Sequence, residues 1–243
     1  MLEGLYSAAA GMAAQSEQLD AIGNDLVNAS TSGYQAERVA FSDLLYNPVE
    51  EAGTKTTVGA GASARVLGRS ETQGAIKQTG DPLDLAIEGN GYFQVKLPDG
   101  STALTRNGAF GVDGEGSITD SEGNLLEPPV KVPRGVPEDS IRIASDGTVS
   151  AEGRTLGRIE LVAVPAPQQL LASADGMLRA SAASGEAKPA SGASLQQGAL
   201  EESNVDLGSE MSQMVVTQRA FQMDSSAIQM ESQMMSIANQ LRP

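Results

Sequence analysis

The chain has 243 residues, enough for one or two domains with a real core, and carries a formal charge of −15 with a pI near 4.3. So acidic a balance argues against nucleic acid or an anionic membrane surface as partner, since both are held through basic patches. Histidine, cysteine and tryptophan are absent and aromatics make up only 3%. That excludes a Ser-His-Asp triad, a Cys-His dyad, a thiolate or imidazole metal site and a disulfide framework, and leaves an aliphatic, methionine-based core.

From Leu2 to Val27, the residues Leu2, Leu5, Ala9, Met12, Ser16, Leu19, Gly23 and Leu26 step by three and four, with Ile22 widening the stripe. This spacing predicts an amphipathic helix. The first basic residue is Arg38, so no basic region precedes the apolar stripe. The stretch is therefore expected to stay on the chain rather than be cleaved as a secretory leader. Asn28-Ala-Ser-Thr-Ser-Gly-Tyr34 then supplies residues that bond locally and tolerate positive φ, which ends the helix. Ala36 to Tyr46 is mixed, with Val39, Phe41, Leu44 and Leu45 as candidates for burial, and residues 47–64, rich in Gly, Thr and Ala, read as an extended, mobile or partner-ordered segment.

Between residues 80 and 179 the period changes to two. Leu83, Leu85 and Ile87 alternate, as do Phe93 and Val95, Ile141 and Ile143, and Ile159 and Leu161. Turn signals such as Asn107-Gly108, Asp113-Gly114, Asp146-Gly147 and Asp175-Gly176 punctuate these short strands. Together they predict an antiparallel β domain. Asp113-Gly-Glu-Gly-Ser117 hints at a calcium loop, but Ile118 occupies its sixth position and no helix flanks it, so a hairpin turn fits better. Residues 181–194 are Ala, Ser and Gly with little else and read as a linker.

From Leu207 to Leu241 there is no Pro, and Gly208 is the only Gly. Leu207, Met211, Met214, Phe221, Ile228 and Met235 form one helical stripe, and Met223, Ala227, Met230, Met234, Ile237 and Leu241 a second. Ser203 and Asp206 read as the start signal of a helix roughly 50 Å long. Only the N-terminal helix is comparable cover for so long an apolar face. The expected fold is therefore α+β, with the N- and C-terminal helices paired in a coiled coil and an antiparallel all-β domain inserted between them. The expected division is 1–33 with 201–243 for the helical part, 34–79 as an extended connector, 80–180 as the β domain and 181–200 as a returning linker. Expected interface residues are Leu5, Met12, Leu19, Leu26, Met211, Met214, Phe221, Ile228 and Met235. The 31 acids are scattered, with no carboxylate pair in an apolar setting, so no catalytic, cofactor-binding or metal-binding residue is assigned, and no small-molecule substrate. A secreted enzyme using a carboxylate pair, or an adhesin or coiled-coil scaffold, are the readings from other classes.

The residue string Asn24-Asp-Leu-Val-Asn28 followed by Ala-Ser-Thr-Ser-Gly-Tyr-Gln-Ala-Glu-Arg38 resembles the N-terminal signature of bacterial flagellar rod and hook proteins, with Asn28, Thr31, Gly33 and Tyr34 at its turn. Phe41–Tyr46, Asp84–Phe93, Thr105–Phe110, Leu200–Val205 and Met214–Phe221 are similar, in order, to later segments of the same family. The resemblance implies an axial structural protein of the basal body, not an enzyme and without a cofactor. Its implied partners are itself in a helical homopolymer, neighbouring rod and hook proteins, the type III export apparatus and, in a Gram-negative cell, the bushing ring proteins. It implies export without a cleaved signal peptide to the rod in the cell envelope. The Phe41–Tyr46 segment and the length resemble distal rod members; the short stretch after Tyr46 leaves the proximal rod subunit open.

Overall fold

A computed structural model describes residues 2–44, 47–51, 54–58, 61–173 and 176–240. Leu45, Tyr46, Asp175 and Leu241, used above, lie outside them. Helix α1 spans Leu2–Val27. Four strands follow, β1 (Glu37–Asp43), β2 (Asn47–Glu51), β3 (Thr54–Val58) and β4 (Ala62–Arg69). Strands β5 (Ile76–Gln78), β6 (Leu85–Glu88), β7 (Tyr92–Lys96), β8 (Thr102–Thr105), β9 (Phe110–Val112), β10 (Ile118–Asp120) and β11 (Leu125–Glu127) come next. Then come β12 (Ile141–Ile143), β13 (Thr148–Ala151), β14 (Arg154–Arg158), β15 (Leu161–Ala163), β16 (Leu171–Ala172), β17 (Leu178–Arg179), β18 (Lys188–Pro189), β19 (Ser194–Gln197) and β20 (Ala199–Glu201). Helix α2, Leu207–Gln240, closes the order. The class is α+β, with a helix at each end and antiparallel strands between.

The chain divides into two compact units. One gathers Met1–Val27, Glu37–Leu67 and Asp206–Pro243; the other gathers Asn28–Ala36 and Gly68–Val205. In the first unit α1 packs along α2, β1 pairs with β4, and β2 with β3. The β2–β3 ladder runs from Asn47 opposite Val58 to Glu51 opposite Thr54, so residues 47–51 and 54–58 pair as antiparallel strands where the composition suggested an extended, mobile or partner-ordered segment. Phe41 and Leu44, candidates for burial, are exposed, because a two-stranded ribbon has a face with nothing beneath it.

In the second unit β16, β17, β8, β7, β11, β10 and β9 lie in that order across one sheet, with β15 and β18 branching from β7. A smaller sheet of β12, β13 and β14 packs near β19. Inward residues of these strands and of β6, which pairs with β19, among them Leu85, Ile87, Phe93, Val95, Ile118, Leu126, Ile141 and Val149, form one core. Phe93 and Phe110 meet edge to face at 4.9 Å. The Asx-Gly turns work as the sequence suggests. Asp113 Oδ1 accepts from the backbone N–H of Glu115 and Ser117, both at 2.8 Å, and closes the β9–β10 hairpin.

Two sequence expectations change. Residues 181–200 are not a free linker: they carry β18, β19 and the start of β20, anchored by buried Leu195 and Ala199, while the hydroxyl of wholly buried Ser184 is tied to Ser181. And the start of α2 is set by Asp206 alone. Its Oδ1 accepts from Gly208 and Ser209 at 2.9 and 3.1 Å, so it is the capping residue itself. Ser203 only turns back on Val205.

Candidate functional site: the helix pair and the junction

Within the first unit, α1 approaches α2 on small residues. A Cβ built on Gly4 would come 2.9 Å from Glu231 Oε2, and one on Gly11 would come 2.8 Å from Asp224 Oδ2. Seven residues up α1 match seven residues down α2, so the helices run antiparallel with a heptad step. The same register sets Gln18 level with Thr217 and Asp25 level with Glu210. Gln18, Asp25 and Thr217 are buried, as are Ala14, Ala21 and Ile22 on the same side of α1. Thr217 satisfies its hydroxyl by donating to Gln213 O at 2.8 Å. Asp25 accepts from the Glu37 backbone N–H at 3.0 Å, which fastens β1 to the end of α1. Glu210 has its pKa raised, first by burial and then by the nearby Asp25 and Asp206 carboxylates.

The residues named from sequence divide. Leu5, Met12, Leu19 and Leu26 each follow the contact line of Gly4, Gly11, Gln18 and Asp25 by one position and are half-buried, as are Met214, Ile228 and Met235. Met211, 59% exposed, and Phe221, 37% exposed, face solvent in the single chain. Sequence reasoning missed the glycine line because it followed the larger side chains. The signal was there in Gly4 and Gly11, seven apart on one helix. Leu207, Met211, Val215, Val216, Met223, Met230, Met234 and Ile237 leave an apolar stripe exposed along α2.

The second unit holds a junction in which four distant segments are laced together. Gly33, in the signature turn, has φ +70°, and a Cβ there would fall 2.4 Å from the Arg106 carbonyl carbon. Only glycine permits both the conformation and the approach. Its N–H donates to Glu201 O at 2.8 Å. The Asn204 side chain accepts from Ala36 N–H at 2.7 Å and donates to Thr72 O at 2.7 Å, while its own N–H reaches Tyr34 O at 3.3 Å. Thr31 and Asn28 close the turn itself, Thr31 N–H donating to Asn28 O at 3.0 Å. Beneath this lie Arg106 and Glu201, paired at 3.5 Å with both side chains buried. Arg106 also donates to Gly91 O and Gly89 O, and Glu201 accepts from Gly74 N–H at 3.0 Å. Tyr34 packs under the Arg69 guanidinium and Tyr92 under that of Arg106. Burial pushes the Glu201 carboxyl up, with Arg106 and the Gly74 N–H opposing. It also raises the Tyr92 phenol.

Every donor of Arg106 that the structure pairs goes to the chain's own backbone or to Glu201, which is the signature of a structural clamp. No group of His, Cys, Asp or Glu able to hold a metal occurs among the described residues, and no described helix is long and apolar enough to cross a membrane. A helical unit made from both ends of the chain, an exposed apolar stripe along it, and a clamped junction at its β insert define a structural subunit.

Comparison with known proteins places that subunit. Residues 86–151 match the family model for the flagellar hook protein FlgE/F/G D1 domain, and residues 196–241 match that for the flagellar basal body rod FlgEFG protein C-terminal region. The flagellar basal-body rod protein FlgG of Borreliella burgdorferi is 35% identical over 263 residues, covering 100% of this chain and 99% of the relative. That of Bacillus subtilis is 36% identical over 252 residues, 94% of each. The rod protein FlgF of Mesorhizobium japonicum is 29% identical over 227 residues, 91% of this chain and 90% of the relative. The chain belongs to the flagellar basal-body rod protein family, whose members are structural, self-assembling and non-enzymatic, and its place is the flagellar basal body.

Proposed function

We propose that this chain builds the distal part of the rod. In the assembled rod α1 and α2 act as an antiparallel coiled coil in the wall of a helical tube. The observation that carries this reading is the apolar stripe of α2, which the chain itself leaves uncovered. Exposed stripes of this length on a soluble unit mark contact surfaces, and contacts that do not close a ring propagate as a helix. The higher identity to FlgG relatives than to the FlgF relative supports the distal over the proximal place. Leu5, Met12, Leu19, Leu26, Met211, Met214, Phe221, Ile228 and Met235 remain the residues proposed to line the wall, and Asn28, Thr31, Gly33 and Tyr34 the proposed family signature turn. Export through the type III apparatus without cleavage, and contact with neighbouring rod and hook proteins and with bushing rings in a Gram-negative envelope, complete the proposal.

The test is assembly in a motile host lacking its own copy of this subunit. Met214→Asp or Ile228→Asp should leave the β unit folded and abolish rods in isolated basal bodies, because an unpaired charge in the helix seam is costly to bury. Normal rods in both variants contradict the assignment of that face. Mass spectrometry of assembled subunits should find a terminus at or next to Met1.

A further inference from the structure

The outward face of α2 is apolar, but it carries one charge. Val216, Met223 and Met230 stand seven residues apart and are 66, 67 and 59% exposed. Arg219, the sole base of α2, lies on the same face, three residues after Val216 and four before Met223. It is two residues past buried Thr217, just over half a turn round from the contact with α1. A cation set among apolar side chains is covered well only by a surface that brings an acid to it.

The chain carries such a surface on its other helix, α1, which has four acids and no base. Asp20 is exposed and lies two residues past buried Gln18, so it too points away from the contact between α1 and α2. Beside it run Ala9, Ser16 and Gly23, again seven apart and all small. Ala9 and Ser16 are exposed, and a Cβ built on Gly23 would meet nothing within 4 Å, whereas those on Gly4 and Gly11 run into α2. Neither Asp20 nor Arg219 has an ion-pair partner among the described residues. They cannot serve each other within one chain, because each is on the far side of its own helix.

Across two copies the faces fit in a single register. Copies that point the same way along a polymer set α1 of one antiparallel to α2 of the next, as within a copy. With Arg219 opposite Asp20 in that sense, Val216 falls opposite Gly23, Met223 opposite Ser16 and Met230 opposite Ala9. Each bulky side chain then faces a small one, as when the ridges of one helix enter the grooves of another. Within a chain Gly11 meets Asp224. The register between copies is four residues along from that one, a displacement of about 6 Å along the helix axis.

We propose that the α2 face of Val216, Arg219, Met223 and Met230 docks on the α1 face of Asp20 in a second copy, with Arg219 and Asp20 paired. This rests on the reading above that copies assemble, and adds which faces meet and in which register. The contact joins two different patches, so a free patch remains at each end and the series stays open.

The chain contains no cysteine, so introduced thiols report contacts cleanly. Full-length chain carrying both Ser16→Cys and Met223→Cys is assembled in a motile host lacking its own copy, and isolated basal bodies are oxidised and resolved without reductant. A ladder of dimers, trimers and longer species should appear, since the bond forms only between closely placed Cα atoms and each copy links to two others. Ala9→Cys with Met223→Cys, one heptad out of register, should give no ladder. Arg219→Asp alone sets two acids together and should cut the number of rods roughly tenfold or more, and adding Asp20→Arg should restore them. Both positions are exposed in the single chain, so the purified variants should melt with the unmodified protein. If unmodified chain builds rods but the thiol pair gives no ladder beyond its out-of-register control, or the charge swap restores nothing, the pairing is wrong while the assembly reading stands. If unmodified chain is never found in rods, both fail.

Discussion

Arg106 and Glu201 lie 3.5 Å apart with both side chains almost wholly removed from solvent, and they tie the loop after β8 to the last strand before α2. A buried pair of this kind adds little against an apolar replacement of both partners, but breaking it strands a charge. It holds the junction in one arrangement because Arg106 is further fixed to the Gly89 and Gly91 carbonyls and Glu201 to Gly74. Arg106→Met should therefore cost about 3–5 kcal/mol, read as a lowered unfolding midpoint in denaturant.

The same site sets a pH dependence. Burial raises the Glu201 carboxyl above its ordinary value of 4.5. Between 4.5 and the raised pKa the folded state holds a proton the unfolded state has released, so this contribution to stability is full below 4.5 and is lost as pH rises through the raised value. Glu201→Gln, which keeps an acceptor for Gly74, should flatten that part of the profile. Urea midpoints measured across the mildly acidic range, wild type against variant, check the sign; an unchanged slope would show that Glu201 is not the group responsible.

Glycines that look alike in the sequence should answer differently to alanine. At Gly33 positive φ and a backbone atom 2.4 Å from the added Cβ leave no relief, and Gly33→Ala should cost upwards of about 2 kcal/mol. At Gly11 the obstacle is the tip of the Asp224 side chain at 2.8 Å, which can swing away. Since alanine also favours the helix by about 1 kcal/mol over glycine, Gly11→Ala should leave thermal stability close to wild type. Equal damage from both would mean that α1 and α2 are held more rigidly than a movable carboxylate allows.

Capping gives a second contrast. Asp206→Ala removes the acceptor for two backbone donors of α2 and should lower stability by about 1 kcal/mol. Ser203→Ala, which removes only a 3.3 Å turn contact to Val205, should be nearly silent. Circular dichroism melts of both variants decide between them.

The two helices and the antiparallel strands were legible because their periods, three-to-four and two, are properties of local sequence. Pairings between distant segments were not. Arg106, Glu201 and Asn204 stood inside recognisable strings, yet nothing in those strings says that Glu201 meets Arg106 or that Asn204 caps the chain at Ala36 and Thr72. Likewise the stripe through Leu5, Met12 and Leu19 marks the bulky edge of α1, whereas the close approach to α2 runs through Gly4 and Gly11, which hydrophobic patterning ignores. Residues 181–200 read as a linker because serine and alanine carry no pattern, while burial of Leu195 and Ala199 and the Ser181–Ser184 turn are facts of tertiary packing.

The β2–β3 hairpin tests what the ribbon beyond α1 is for. Its register is complete from Asn47 opposite Val58 to Glu51 opposite Thr54, yet a lone two-stranded hairpin is marginal in water. The ribbon of β1 and β4 beside it in sequence leaves Phe41, Leu44, Val66 and Leu67 exposed, so the chain offers a further apolar surface here that a neighbouring subunit would cover. On this reading the hairpin is a bridge whose contacts restrict sliding between subunits, and its removal should leave folding untouched but weaken the polymer. Deleting residues 47–58 should give a subunit that melts within a few degrees of wild type and is exported, yet builds rods that are bent or break on isolation. A passive tether predicts straight, durable rods and normal swimming from the same deletion, because surface loops tolerate changes of length at small entropic cost. Electron microscopy of basal bodies from the deletion strain, scored for rod length and curvature, separates the two.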